Sequence, residues 1–307
     1  MLRAIVDDFA ALLGVEVVTT RDVRLAELEL SNAHVIEIGN ADDERAALER
    51  LGRECDAVLL IGPEFEGILW QRATWLEQCG ARLISPSAEF IAIAADKALT
   101  AVRLTSRNVP APRGWIITKL EELPPDFRWP AILKPRDGAG SLGVRLVHSR
   151  DELVGCLQPG LYLEEFCPGR AASCAVICGP GQLLPLPACE QLLAGESGFE
   201  YRGGTLPLAP ERNERAQRLA VRAIECLPKC VGYCGVDLVL GEAADGSEDF
   251  VIEINPRLTT SYIGLRALCR ENLARVMLSA ASGRSSALSQ RAERVEFTAE
   301  GTISRSA

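Results

Sequence analysis

Glu253 and Asn255 stand two residues apart in the stretch FVIEINPR (250–257), with Arg257 just beyond them. Side chains alternate along a strand, so this carboxylate and carboxamide share one face with Val251, while Phe250, Ile252 and Ile254 occupy the other. Upstream, GVDLVLG (235–241) has strand character, and the EAADGSED between them carries the turn-forming pair Asp245-Gly246. A hairpin centred on Asp245 sets Asp237 opposite Glu253, on the face that also holds Asn255. Three hard oxygen donors then converge beside a guanidinium. Magnesium takes one or two carboxylates with phosphate oxygens and water, so the set suits a magnesium–nucleotide complex, with manganese as the alternative ion. The competing account is a turn-ending strand whose acids are solvated edge residues.

Two further stretches could do related chemistry. Between the strands WPAILKP (129–135) and VRLVHS (144–149) lies the loop RDGAGSLG (136–143). Its glycines, Gly138 among them with Ala139, Gly140 and Ser141, let the backbone turn its N–H groups onto an anion, and Lys134 adds a fixed positive charge. An ordinary hairpin loop is the alternative. The loop carries neither the P-loop pattern nor a kinase signature. In LYLEEF (161–166), a carboxylate or the backbone of Glu164 or Glu165 can receive the exocyclic amine of adenine while Phe166 packs near the base; otherwise these are solvated acids.

The elements that must position these groups fall into segments. A chain of 307 residues has room for two domains or one large one, and 48 % hydrophobic with 24 % charged residues marks it as globular. A net charge of -9 argues against nucleic acid or an anionic membrane as partner and for small molecules. No apolar run approaches a membrane span, and the start MLRAIVDDFAALLG is unlike a signal peptide, so a cytoplasmic protein is expected. Only His34 and His148 are present, which leaves histidine-based catalysis poorly supported. The eleven cysteines are expected to be reduced; Cys226, Cys230 and Cys234 lack a nearby histidine and the usual metal spacing, and read as small buried thiols.

Residues 1–94 alternate helix and strand, with strands expected at 15–20, 34–39, 56–62 and 81–87, as in a small Rossmann-like layer. It opens on a helix where such a layer starts with a strand, so a first strand is expected to be missing. From 95 to 165, Asp96 caps a helix before the glycine-loop strands. Residues 166–283 are mainly strands, broken by a flexible glycine-rich loop, ESGFEYRGG, and a long helix. The tail, 284–307, loses apolar periodicity and is expected to be partly disordered.

In chain order, Asp96-Lys97, PAILKPRDGAGSLGV, YLEEFCPG, GVDLVL and EINPR resemble the ATP-grasp superfamily of carboxylate–amine ligases across most of the chain. The resemblance implies an α/β (α+β) fold: an N-terminal Rossmann-like domain, a small glycine-loop lid and a C-terminal mixed or antiparallel sheet subdomain. It implies nucleotide phosphates on Lys97 and Lys134 under a lid of Gly138, Ala139, Gly140 and Ser141, and adenine cradled by Glu164, Glu165, Phe166 and Cys167. Asp237, Glu253 and Asn255 would hold magnesium, and Arg257 would face the transferred phosphoryl group. Ala171 stands where many relatives carry an acidic ribose ligand. The implied activity is amide formation through an acyl phosphate, releasing ADP and phosphate, which asks little acid–base chemistry of the protein.

NPRLTTSYIGLR (255–266) and FEYRGGTLP (199–207) are similar to the ATP-grasp group that includes the archaeal tyramine–glutamate ligase of methanofuran synthesis. That similarity implies glutamate as the activated acid and a tyramine- or tyrosine-like amine as acceptor. Thr259, Thr260 and Ser261 could then fix substrate, and Tyr201, Arg202 and Gly203 could close over the acid; loop packing is the plainer role for both. Another ATP-grasp amino-acid or dipeptide ligase, a nucleotide-binding regulator without turnover, and a homodimer all stay open.

Overall fold

The computed structural model describes residues 1–25, 30, 32–138, 143–195 and 198–306. The first segment holds helix α1 (Leu2–Ala10), the parallel strands β1 (Val18–Asp22) and β2 (His34–Ile38), and helices α2 (Ala41–Glu54), α3 (Ile68–Gln78) and α4 (Ala88–Ala94). Asn40 and Ser87 cap α2 and α4 by accepting backbone N–H groups of the first turn. The stretches 56–62 and 81–87, expected as strands, meet only at the bridge Val58↔Leu83. Pro63 follows the first and Pro86 falls within the second, and the Ser85 hydroxyl takes the Leu60 N–H at 2.7 Å in place of a ladder partner.

Helix α5 (Lys97–Ser106) starts at Asp96, whose carboxylate accepts from the Ala98 and Leu99 N–H groups as expected. Then follow β3 (Gly114–Ile116), β4 (Ala131–Pro135), β5 (Arg145–Val147), α6 (Arg150–Val154) and β6 (Leu161–Glu165). These strands form an antiparallel sheet, order β3-β6-β4-β5, over a small core that includes Leu133, Val147 and Leu163.

The third part contains β7 (Arg170–Gly179), β8 (Gln182–Pro185), β9 (Cys189–Ala194), β10 (Glu200–Leu206), α7 (Pro210–Glu225), β11 (Gly232–Leu240), β12 (Phe250–Asn255), α8 (Tyr262–Leu268), α9 (Leu273–Ala281), β13 (Arg294–Thr298) and β14 (Ile303–Ser306). Its sheet runs β12-β11-β7-β9-β10-β13-β14, with β8 beside β7. Alternation along β7 splits the core: Cys174, Val176 and Cys178 pack toward α7, whereas Ala175 and Ile177 pack with residues of α1, α8 and α9.

Three expectations change here. The segment expected as a flexible glycine-rich loop includes strand β10, paired with β9 and β13. The tail is not loose, because Val295 and Phe297 alternate inward and are buried at the end of the sheet. Helix α1 packs away from the layer expected at 1–94: Asp8 accepts from the Tyr262 hydroxyl at 2.6 Å and from Arg266, and its carbonyl takes Asn272 Nδ2 at 2.8 Å. Ile5 and Leu12 accordingly belong to the C-terminal core. Among the described residues no helix is long and apolar enough to cross a membrane.

Candidate active site

The β11–β12 hairpin has the register the sequence suggests, Asp237 against Glu253 and Gly235 against Asn255. One feature departs from strict alternation. A bulge follows Asp237↔Glu253, so that Leu238 pairs with Val251 and Ile252 is the extra residue. Val251, expected on the face of Glu253 and Asn255, therefore turns with Ile254 into the core at 1 % exposure, and Ile252 joins Glu253 and Asn255 along the cleft.

That cleft, about 390 Å³ in volume, is lined by residues of the four-stranded sheet and of the larger one. Asp237 accepts from Gln191 Nε2 at 2.8 Å and from Asn255 Nδ2 at 2.9 Å. Burial, with the charge of Glu253, pushes its carboxyl up to about 7. Glu253 pairs with Lys97 Nζ at 3.0 Å, and the same ammonium donates to the Gly138 carbonyl at 3.2 Å. Across the cleft, Lys134 on β4 and Glu164 on β6 are diagonal cross-strand neighbours, joined at 2.5 Å. Burial raises the Glu164 carboxyl above its ordinary value even though Lys134 pulls the other way.

Arg257 leaves the end of β12 and meets Glu64, from the loop before α3, at 2.8 Å. The Glu64 oxygens and Arg257 Nε lack hydrogen-bond alignment, so this contact is a charge pairing; burial raises the Glu64 pKa more than Arg257 lowers it. Beyond it, the hydroxyls of Tyr233, Thr259 and Ser261 close a triangle of 3.0, 3.3 and 2.8 Å at the start of α8. Phe166 and Cys167 continue from β6; burial holds the Cys167 thiol up at about 12, which leaves it protonated and inert. Glu165 is tied to Arg113 at 3.3 Å.

The cleft thus gathers Lys97, Lys134, Gly138, Glu164, Glu165, Phe166, Cys167, Tyr201, Asp237, Glu253, Asn255, Arg257, Thr259, Thr260 and Ser261. Ala139, Gly140 and Ser141 lie outside the described residues. Arg202 and Gly203 do not line the cleft. Arg202 pairs with Glu200 on the exposed side of β10, and Gly203 has φ +136° with Phe297 O only 2.0 Å from where a Cβ would sit. Of these three neighbours only Tyr201 reaches inward, since β10 alternates and carries an irregularity between Tyr201 and Gly203. Ala171 does line the cleft. Two residues were not foreseen. Gln191 could have been found by alternation along β9, although the sequence does not say which face is inward; Glu64 has no local signal and reaches Arg257 only through tertiary packing.

The donor set fits a hard cation. Two carboxylates face each other across one strand pair with a carboxamide beside them, and a divalent ion would offset the burial and the Glu253 charge that together raise the Asp237 carboxyl.

A profile described as an ATP-grasp domain matches residues 94–261, and one described as a pre ATP-grasp 3 domain matches residues 15–91. The chain is similar to the tyramine–L-glutamate ligase of Methanocaldococcus fervens, 24 % identical over 300 residues that cover 97 % of this chain and 91 % of the relative. It is also similar to a D-alanine–D-alanine ligase of Desulfotalea psychrophila, 30 % identical over 164 residues, 47 % of this chain and 49 % of the relative. Among solved structures, an ADP complex of N5-carboxyaminoimidazole ribonucleotide synthetase superposes with a TM-score of 0.79 at 18 % identity, covering 96 % of this chain and 78 % of the other.

Proposed function

The chain belongs to the ATP-grasp family, and from that premise we propose that it is an ATP-dependent ligase joining glutamate to a tyramine- or tyrosine-like amine. The observation that carries the proposal is a cleft in which the Asp237–Glu253–Asn255 face stands opposite Lys134 and beside Lys97 and Arg257. Near-full-length similarity to a tyramine–glutamate ligase supports the choice of substrates.

Each residue has a task in this account. Asp237, Glu253 and Asn255 would hold magnesium, which when bound supplies charge neutralisation at the phosphoryl oxygens. Lys97 and Lys134 are already desolvated and paired to carboxylates, so nucleotide phosphates replace Glu253 and Glu164 as their partners at little further desolvation cost. Glu165 and Phe166 border the adenine position. Arg257, steadied by Glu64, orients the phosphoryl group and the acid by its planar fork. The Thr259 and Ser261 hydroxyls, set by Tyr233, hold the α-carboxylate or amine of glutamate. Leu193, Phe199 and Tyr201 offer an apolar wall against which an aromatic amine can lie.

The bonds follow in two steps. A carboxylate oxygen attacks the terminal phosphorus of ATP and ADP leaves; the amine nitrogen then attacks the acyl carbon, phosphate leaves, and the amide nitrogen loses a proton to solvent. Residues 95–165 act as lid and 166–283 as base, keeping water from the acyl phosphate. A dipeptide ligase is the second reading, favoured by the likeness to D-alanine–D-alanine ligase.

The deciding experiment is an ADP-release assay with magnesium-ATP, L-glutamate and a panel holding tyramine, tyrosine, lysine and both alanine enantiomers. Release that needs both glutamate and tyramine or tyrosine is expected. Release with alanine alone selects the dipeptide ligase, and no amine-dependent release with any member overturns the ligase assignment.

A further inference from the structure

The face of the large sheet turned away from the cleft carries a cluster that the ligase reaction does not use. In the β7–β11 ladder Cys178 pairs with Gly232 and Cys234 with Val176, so the two cysteines are diagonal neighbours on the side covered by α7. Cys230, two residues before Gly232, falls in the same phase. Cys230 Sγ and Cys234 Sγ are 3.3 Å apart, and all three sulfurs lie within 4.8 Å of one another. Cys178 and Cys234 have no exposure, and Cys230, in the segment between α7 and β11, has 7 %. Cys226, which the sequence spacing groups with Cys230 and Cys234, instead donates to the Arg222 carbonyl at 3.2 Å; its place is taken by Cys178 from a distant strand.

Spacing and ligand count together narrow the chemistry. A disulfide needs sulfurs about 2.05 Å apart, whereas a cation about 2.3 Å from each of three sulfurs needs them roughly 4 Å apart. The Cys230–Cys234 separation, 3.3 Å, is far too long for a disulfide, and no pair in the group exceeds 4.8 Å, within reach of the second arrangement. Structural zinc takes four ligands, and among the described residues no histidine, aspartate, glutamate or fourth cysteine joins this group. Three sulfurs and nothing harder suit Cu(I). Cysteine ligates a metal as the thiolate, so entry of the ion displaces thiol protons, which leave to solvent.

We infer that Cys178, Cys230 and Cys234 form a three-sulfur site for one monovalent soft cation of the Cu(I) type, on the opposite face of the sheet from the ligase cleft. Cys230 is the point of entry, being the one of the three outside a strand and the least buried.

The test uses the full-length reduced protein without oxygen, titrated with Cu(I) against the chromogenic chelator bathocuproine disulfonate. The wild type is expected to withdraw one equivalent of copper, Cys230→Ala to bind at least tenfold more weakly, and Cys55→Ala to behave as wild type. Copper held equally well by Cys230→Ala overturns the site. X-ray absorption at the copper edge of the wild type stands independently of how any variant folds: three sulfur neighbours are expected, and nitrogen or oxygen neighbours, or two sulfurs only, overturn it. Neither readout involves ADP release, so failure here leaves the ligase proposal untouched.

Discussion

Two buried ion pairs of nearly equal exposure behave differently, and the difference separates holding the fold from doing chemistry. Arg215–Asp249 side chains are 7 % and 5 % exposed; Lys134–Glu164 are 4 % and 6 %. The first pair is closed on itself. Arg215 donates from Nε at 2.9 Å to one Asp249 oxygen, from a terminal nitrogen to the other, and to the Gly241 carbonyl, while Asp249 also accepts the Gly241 N–H at 3.0 Å. It ties α7 to the β11–β12 hairpin and lies apart from the cleft. In the second, Lys134 has three donors, and among the described residues its one hydrogen bond goes to Glu164. Its remaining donors border the cleft. Burial alone does not mark a reactive charge; a place on the wall of the cleft with donors to spare does.

Breaking the open pair should give the largest functional effect. Lys134→Ala, like Glu253→Ala, is expected to lower ADP formation by about 10²–10³-fold with the circular dichroism spectrum unchanged. Burial raises the Glu164 carboxyl, and loss of Lys134 shifts it further in the same direction. Turnover near wild type in either variant would remove both from the site.

Breaking the closed pair should act on stability instead. Arg215→Met strands a buried carboxylate and is expected to cost about 3–5 kcal/mol in urea unfolding, while the folded fraction keeps its ADP-forming rate. A rate loss without a stability loss would reverse the contrast.

A pH series sharpens it further. The Asp237 carboxyl is raised from 3.8 to about 7, so the folded state binds the proton more tightly than the unfolded state does. Its contribution therefore falls as pH rises from about 4 to about 7 and is level above that. Glu164 and Glu64 are shifted in the same direction. The urea midpoint of Asp237→Asn, followed over this range without magnesium, should decline less than that of the wild type; an equal decline would place the effect elsewhere. Arg202→Ala gives the smallest change. Its pair with Glu200 is more than half exposed, so stability should move by less than about 0.5 kcal/mol, and ADP formation should stay as it was.

The sequence made local and periodic features legible. Asp245-Gly246 predicts the hairpin, and the two-residue repeat places Asp237, Glu253 and Asn255 on one side as the register shows. Asp96 announces its helix because a cap depends on only the next three residues. The bulge at Ile252 gave no such notice, since a single extra residue is set by what packs on both faces. Around Arg202 the glycines suggest a loop, whereas Gly203 lies in β10 and lets β13 approach. Glu64 and helix α1 owe their places to partners far along the chain, which no local pattern encodes.

That last contact has a consequence in time. The Asp8 carboxylate waits for a hydroxyl 254 residues downstream. At a synthesis rate of about 5–20 residues per second, roughly 10–50 s separate the making of Asp8 from the making of Tyr262. For that interval the core that takes Ile5 and Leu12 is incomplete, because its α8 and α9 residues are still to be made. Helix α1 can complete its docking only once those C-terminal helices exist.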